Sequence, residues 1–182
     1  MQPSRRRRRH SKSHGFVPDY FATSVQTIDY DELRRQGVRY IALDVDQTLT
    51  HNRALVLDAG LAELLNGKVR EGVIEGIFIA SNSRRNLDEI AKHINAGRVL
   101  ATRFIRKPGR QYYKRLLSQA KCAPHEIAMI GDRLFTDVLG GNRAGLVTVM
   151  VDPHGPDMWI DRLTRLRTIE KRYLKRHRSL EE

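Results

Sequence analysis

From residue 39 onward, short apolar runs alternate with stretches of helical periodicity. The runs at Tyr40–Leu43, Ile77–Ala80, Val99–Ile105, Ile127–Ile130 and Leu146–Val151 are rich in β-branched side chains. Between them, the segments near 58–70, 84–95, 109–121 and 134–144 repeat apolar positions at helical spacing. Strand, helix, strand in succession predicts an α/β fold: one Rossmann-like parallel sheet of about five strands. The strand runs are almost continuously apolar, which predicts helices on both faces of the sheet. Residues 16–38 predict a short extended segment and one helix around Asp31–Gln36, stopped by Gly37.

Length and composition narrow the class. The chain has 182 residues, enough for one ordinary domain, and 40% are hydrophobic. No apolar run reaches the roughly 18 residues that span a bilayer. The single cysteine, Cys122, excludes a disulfide framework and a four-cysteine zinc site and fits a reducing compartment.

Charge changes the picture at the ends. Residues 1–18 carry 6 basic and no acidic side chains, +6, and residues 161–182 carry 8 − 4 = +4. Residues 19–160 carry 19 − 17 = +2, so the body reads as near neutral with basic appendages. Such ends are attracted to an anionic surface, nucleic acid or anionic lipid, or act as solubilising tails. The expected organisation is an Arg-rich disordered tail at 1–15, a core at 16–155 and a basic amphipathic helix at 156–182. In that helix Met158, Trp159, Leu163, Leu166, Ile169, Tyr173 and Leu174 recur at helical spacing among arginines, fitting a membrane interface or packing on the sheet's helices. The Arg run is not a secretory signal, because no apolar stretch follows it, although its composition overlaps that of organellar transit peptides.

Candidate chemistry sits where the apolar runs end. In an open parallel sheet, ligands bind beyond the carboxyl ends of the strands, near the point where strand order reverses. The first run ends in Asp44-Val45-Asp46-Gln47-Thr48, the second in Ser81-Asn82-Ser83, and the fourth in Gly131-Asp132-Arg133, with Asp137 beyond. Arg106-Lys107-Pro108-Gly109 follows the third. Acids this close call for a proton or a cation between them. A hard cation such as Mg²⁺ takes oxygen ligands, so Asp44, Asp46 and Asp132 are candidate ligands. Lys107 supplies positive charge, and Ser81 and Asn82 supply hydrogen bonds, a set that suits a phosphoryl group. Aspartate at a strand end and serine after one also serve as plain helix caps, and Asp137 fits a structural role as well as a direct one.

These four motifs, in this order and each after a predicted strand, resemble the haloacid dehalogenase superfamily of aspartyl-phosphate phosphatases. Within its subfamily IIIA they resemble the YqeG type, which includes phosphatidylglycerophosphate phosphatases. That narrower resemblance rests on Gly131–Asn142 (GDRLFTDVLGGN), SNS at 81–83, KPG at 107–109 and Pro18-Asp19-Tyr20, and it covers roughly residues 16–175. The resemblance implies that Asp44 is the nucleophile and Asp46 the general acid and base. It implies that Thr48 holds the motif loop, that Ser81 and Asn82 bind phosphate, and that Lys107 neutralises charge. It implies Mg²⁺ as cofactor, held by Asp132, the Asp44 carboxylate and the Asp46 carbonyl, with Asp137 in support. Two positions depart from the subfamily pattern: Gln47 stands where asparagine is usual, and Arg133 where glutamine is usual.

Spacing bears on the substrate. Asp46 and Ser81 are 35 residues apart, and Ser81 and Lys107 are 26 apart. Each interval holds one helix and one strand, which leaves no room for a cap domain. A capless site stays open and fits a large substrate. The resemblance implies dephosphorylation of phosphatidylglycerophosphate at an anionic membrane, without a transmembrane segment, in the cytoplasm on the membrane's inner face; organellar targeting remains an alternative. The same chemistry on a soluble, protein or nucleic-acid phosphate, and a nucleic-acid-binding protein that uses the basic ends, are the competing readings.

Overall fold

The computed structural model describes residues 15–51, 54, 56–99 and 101–154. The expected C-terminal helix, and all of the expected tail except Gly15, lie outside the described residues.

The chain begins with β1 (Tyr20–Ala22) and α1 (Tyr30–Arg35), then β2 (Tyr40–Leu43), α2 (Ala59–Arg70) and β3 (Gly76–Ile79). It continues through α3 (Asp88–His93), β4 (Gly97–Arg98), α4 (Arg110–Ala120), β5 (Ile127–Gly131), α5 (Leu139–Ala144) and β6 (Val147–Val151). The six strands form one open sheet in the order β1-β6-β5-β2-β3-β4, and every pairing is parallel. The chain works outward from β2 to β3 and β4, then returns to β5 on the other side of β2. Strand order therefore reverses at β2, and a crevice opens beyond its carboxyl end.

Alternation along the central strands separates two cores. Ile41, Leu43, Ala128 and Ile130 point to one face and pack with Leu61 and Leu65 of α2 and Ile90 of α3. Ala42, Ile127 and Met129 point to the other and pack with Tyr112, Tyr113 and Leu116 of α4. Both faces are thus dry, and β5 is buried along its whole length. Side-chain caps start two of the helices: Asp29 Oδ1 accepts from Glu32 N at 2.8 Å, and Asp58 Oδ1 accepts from Leu61 N at 2.9 Å. Gly37, at φ +94°, ends the turn after α1 where the sequence predicted a stop.

Three expectations are corrected. The sheet has six strands, because the extended segment at 20–22 pairs with β6 as an edge strand. Its lead-in is tied down by Asp19, whose Oδ2 accepts from Thr148 N at 2.9 Å, and by Asn142, whose Nδ2 donates to Gly15 O and Val17 O. The apolar run 99–105 is not a strand. Pairing ends just past β4, and the chain folds back in a turn closed by Thr102 N to Ile105 O at 2.8 Å and Ile105 N to Thr102 Oγ1 at 3.0 Å. The helix expected from residue 84 starts only at Asp88, because hydroxyls at 81 and 83 take backbone donors and hold 81–87 as a loop.

Candidate active site

Four loops at the carboxyl edge of the sheet surround a cavity of about 260 Å³ lined by Asp44, Asp46, Ser81, Lys107, Arg133 and their neighbours. Asp44 follows β2 directly, its N–H donating to Ile130 O at 2.9 Å, so its carboxylate leaves the sheet at the crevice. Asp132 follows β5 and is fully buried. Lys107 reaches in from the loop before α4, and its Nζ lies 2.7 Å from Asp44 Oδ1 and 2.6 Å from Asp137 Oδ1. Asp44, Asp132 and Asp137 each offer a carboxylate oxygen within 4.8 Å of the others.

Burial alone would pull the Lys107 pKa down, but the Asp137 and Asp44 carboxylates overcome it and hold the ammonium well above the usual lysine value. Burial likewise pushes Asp137 up to about 7 against the pull of Lys107, with Asp44 and Asp132 adding to the rise. The three acids outnumber the one ammonium held among them, and the Arg133 guanidinium stands 4.0 Å from Asp132. This donor set of hard oxygens fits a divalent cation.

A close approach makes the Asp137 position possible. A Cβ on Gly131 would lie 2.3 Å from Asp137 Oδ2, so only glycine lets the carboxylate fold back under the end of β5. There Oδ2 also accepts from Arg133 N at 3.1 Å. Residues Leu134–Val138 form a π-helical turn leading into α5, which presents Asp137 to Lys107 while Tyr113 donates to Thr136 O at 2.6 Å.

Most residues singled out from the sequence converge here, in different relations. Thr48 donates to Asp132 Oδ1 at 3.4 Å, tying the first motif to the fourth. Ser81 is buried, accepts from Ser83 N at 3.1 Å and faces the cavity. Asn82 clamps the Lys107 main chain: its Nδ2 donates to Lys107 O at 2.9 Å, and its Oδ1 accepts from Lys107 N at 2.8 Å. The Asp46 carboxylate is not part of the acidic trio and pairs with Arg85, whose Nε also donates to Ser83 Oγ at 3.0 Å. Asp137 takes its place in the trio. Gln47 sits at φ +68°, a left-handed conformation that asparagine adopts more readily, which accounts for the residue usual at that position. Arg133 lines the cavity mouth with its Nε 4.0 Å from Asp132 Oδ2. Arg85 and Ser83 were not anticipated in these contacts, although Ser-x-Arg just after a predicted strand end was the signal available.

The profile of the HAD-hydrolase-like family matches residues 104–154, which span the Lys107 and Asp132 loops. Over those residues the chain resembles HAD hydrolases, and the curated relatives that extend the match over most of it are phosphatases. It is 28% identical over 160 residues to the probable phosphatase YqeG of Bacillus subtilis, covering 87% of this chain and 90% of that protein. It is 30% identical over 145 residues to the chloroplastic and mitochondrial phosphatidylglycerophosphate phosphatase 1 of Arabidopsis thaliana. That match covers 75% of this chain but only 41% of the plant protein. An uncharacterized protein of Listeria monocytogenes shares this fold, with a TM-score of 0.52 at 16% identity over 67% of this chain and 84% of that one. With HAD-like phosphatases as its homologues, the protein is a hydrolase that acts on phosphoric monoesters.

Proposed function

We propose that this phosphatase works through an aspartyl-phosphate on Asp44, with Mg²⁺ as cofactor and phosphatidylglycerophosphate as substrate. The observation that carries the mechanism is the buried set of Asp44, Lys107, Asp132 and Asp137 on the floor of the cavity. Asp44 Oδ attacks phosphorus, the bond to the leaving oxygen breaks, and the alcohol departs with a proton from Asp46. Water then attacks the acyl phosphate, gives its proton to Asp46 and regenerates Asp44 as inorganic phosphate leaves. Lys107 orients Asp44 and offsets charge on the phosphoryl oxygens. Ser81 lines the cavity where its hydroxyl can donate to one of those oxygens. Arg85 bridges Asp46 and Ser83, so an anion entering the cavity competes with Asp46 for that guanidinium and frees the carboxyl group for proton transfer.

Asp44 and Asp132 are the carboxylates that would hold Mg²⁺, together with the Asp46 carbonyl. When bound, the ion neutralises the acids and withdraws charge from the phosphoryl group.

The lipid assignment draws on the Arabidopsis relative and on an open site: among the described residues, one helix and one strand fill each interval between motifs. Among those residues, no helix is long and apolar enough to cross a membrane, so contact with lipid would be peripheral, on the cytoplasmic face or within an organelle. Phosphate release from a panel of lipid, sugar, nucleotide and phosphopeptide monoesters tests both levels. Asp44→Asn should abolish Mg²⁺-dependent release by at least about 10⁴-fold, given how slow the uncatalysed reaction is. Full activity in excess chelator, or in that variant, would sink the mechanism. Vigorous release from soluble phosphates alone would overturn the lipid substrate.

A further inference from the structure

A second hollow of about 230 Å³ adjoins the active-site cavity along Ser81 and Ser83, which line both. Its polar lining includes Arg84, Arg85 and Arg98, and its apolar lining includes Leu87, Val99 and Ala101. Arg85 is engaged with Asp46. Among the described residues Arg98 pairs with the half-exposed Asp88, whose carboxylate an incoming anion can replace. Arg84 makes no ion pair among the described residues. The charge is also local. Residues 81–110 carry 8 basic and 2 acidic side chains, +6, while the rest of 19–160 carries 11 − 15 = −4. The near-neutral body expected from the sequence thus conceals a basic stretch that contributes the three arginines of the hollow.

We infer that this hollow binds a second phosphate of the substrate, a singly charged diester a few bonds from the monoester being cleaved. This rests on the phosphatase reading of the main cavity and specifies its substrate. Arg84 and Arg98 meet the diester, and the Ser81–Ser83 segment lies between the two phosphates. The apolar lining covers carbon attached to the diester. A glycerol bisphosphate headgroup has this chemistry whether it carries acyl chains or is free in solution. Guanidinium groups suit it because each can donate two parallel hydrogen bonds to one phosphate.

The test uses the full chain with three substrates: glycerol phosphate, the soluble headgroup glycerophosphoglycerol phosphate, and phosphatidylglycerophosphate in mixed micelles. The soluble headgroup should exceed glycerol phosphate in kcat/KM by about tenfold or more. Arg84→Gln and Arg98→Gln should each erase about five- to tenfold of that preference, mainly in KM, with glycerol phosphate turnover little changed. Arg98→Lys should retain part of it. No preference in the unaltered protein, or an equal loss on both soluble substrates, would overturn the proposal. So would a preference confined to micelles, which would mean that the hollow reads a lipid surface. Calorimetry with glycerophosphoglycerol, which has only the diester, reads the hollow without turnover. Its binding should weaken in both glutamine variants, and failure to bind the unaltered protein would also overturn the proposal. Arginine-dependent binding of the diester by a chain inactive on all three substrates would leave the hollow standing and sink the phosphatase reading.

Discussion

Each edge of the sheet carries a cation held between two carboxylates, and the two triads serve opposite ends. At the amino edge, Arg39 donates from Nε to Glu75 Oε1 at 2.8 Å and from a terminal nitrogen to Glu126 Oε1 at 2.9 Å. These residues stand just before β2, β3 and β5, so the triad ties three strand starts together. At the carboxyl edge, Lys107 lies between Asp44 and Asp137 just beyond β2 and β5. The Arg39 side chain is 41% exposed and that of Lys107 is 1%. Water solvates the first triad and screens it, so its formation costs little and contributes little. The second has given up its hydration, and a third buried acid, Asp132, stands beside it. A triad of that kind is a poor way to stabilise a fold. Its presence makes sense as a device that receives charge from a ligand.

Breaking the two triads in the same way should separate them most clearly. Lys107→Met leaves Asp44 and Asp137 buried without their cation. Without added divalent metal it should cost about 3–5 kcal/mol in urea unfolding, and it should abolish measurable phosphatase turnover. Arg39→Met should produce a much smaller loss of stability and leave kcat unchanged. Equal stability losses would mean that burial does not set the two apart.

A subtler variant sharpens the comparison by moving the buried cation without removing it. Asn82→Ala deletes both side-chain bonds to the Lys107 main chain. It should cost about 1–2 kcal/mol and lower kcat about tenfold with a small change in KM. An effect on KM alone would place Asn82 on the substrate instead.

The smallest effect belongs to the exposed triad. Hydrogen bonds from Arg39 and Arg34 hold the Glu75 carboxyl down to about 2, below its ordinary 4.5. A depressed acid stabilises the fold above its unfolded pKa, and that contribution disappears as pH falls from about 4.5 to about 2. Glu75→Gln should therefore flatten the acid side of the stability profile in that window and leave neutral-pH activity alone. An unchanged profile would show that the contacts do not persist in solution.

The sequence exposed the carboxyl edge far better than the neighbouring features. Asp44, Ser81 and Asp132 could be found because each follows an apolar run that forms a strand, and the sheet brings those strand ends together. β2 and β5 were legible for the same reason. Partnerships among side chains were not. Nothing local tells that Asn82 clamps a backbone 25 residues away, or that Arg85 turns back onto Asp46. β1 has only three residues and draws its pairing from Asp19 and Asn142 anchoring it to β6, which no local pattern encodes. The run at 99–105 misled because apolar, β-branched composition marks a strand, whereas among its described residues only Val99 is buried and Phe104 is 88% exposed.

Gly131 limits how this enzyme can be altered. Any side chain there collides with Asp137, although Gly131 is not among the residues lining the cavity. Saturation mutagenesis should find the position as intolerant as the acids themselves. A library designed to change specificity by varying only substrate-facing residues would leave it untouched. Room for redesign lies along the Arg84–Arg98 wall, and the floor beneath the phosphoryl group has none to give.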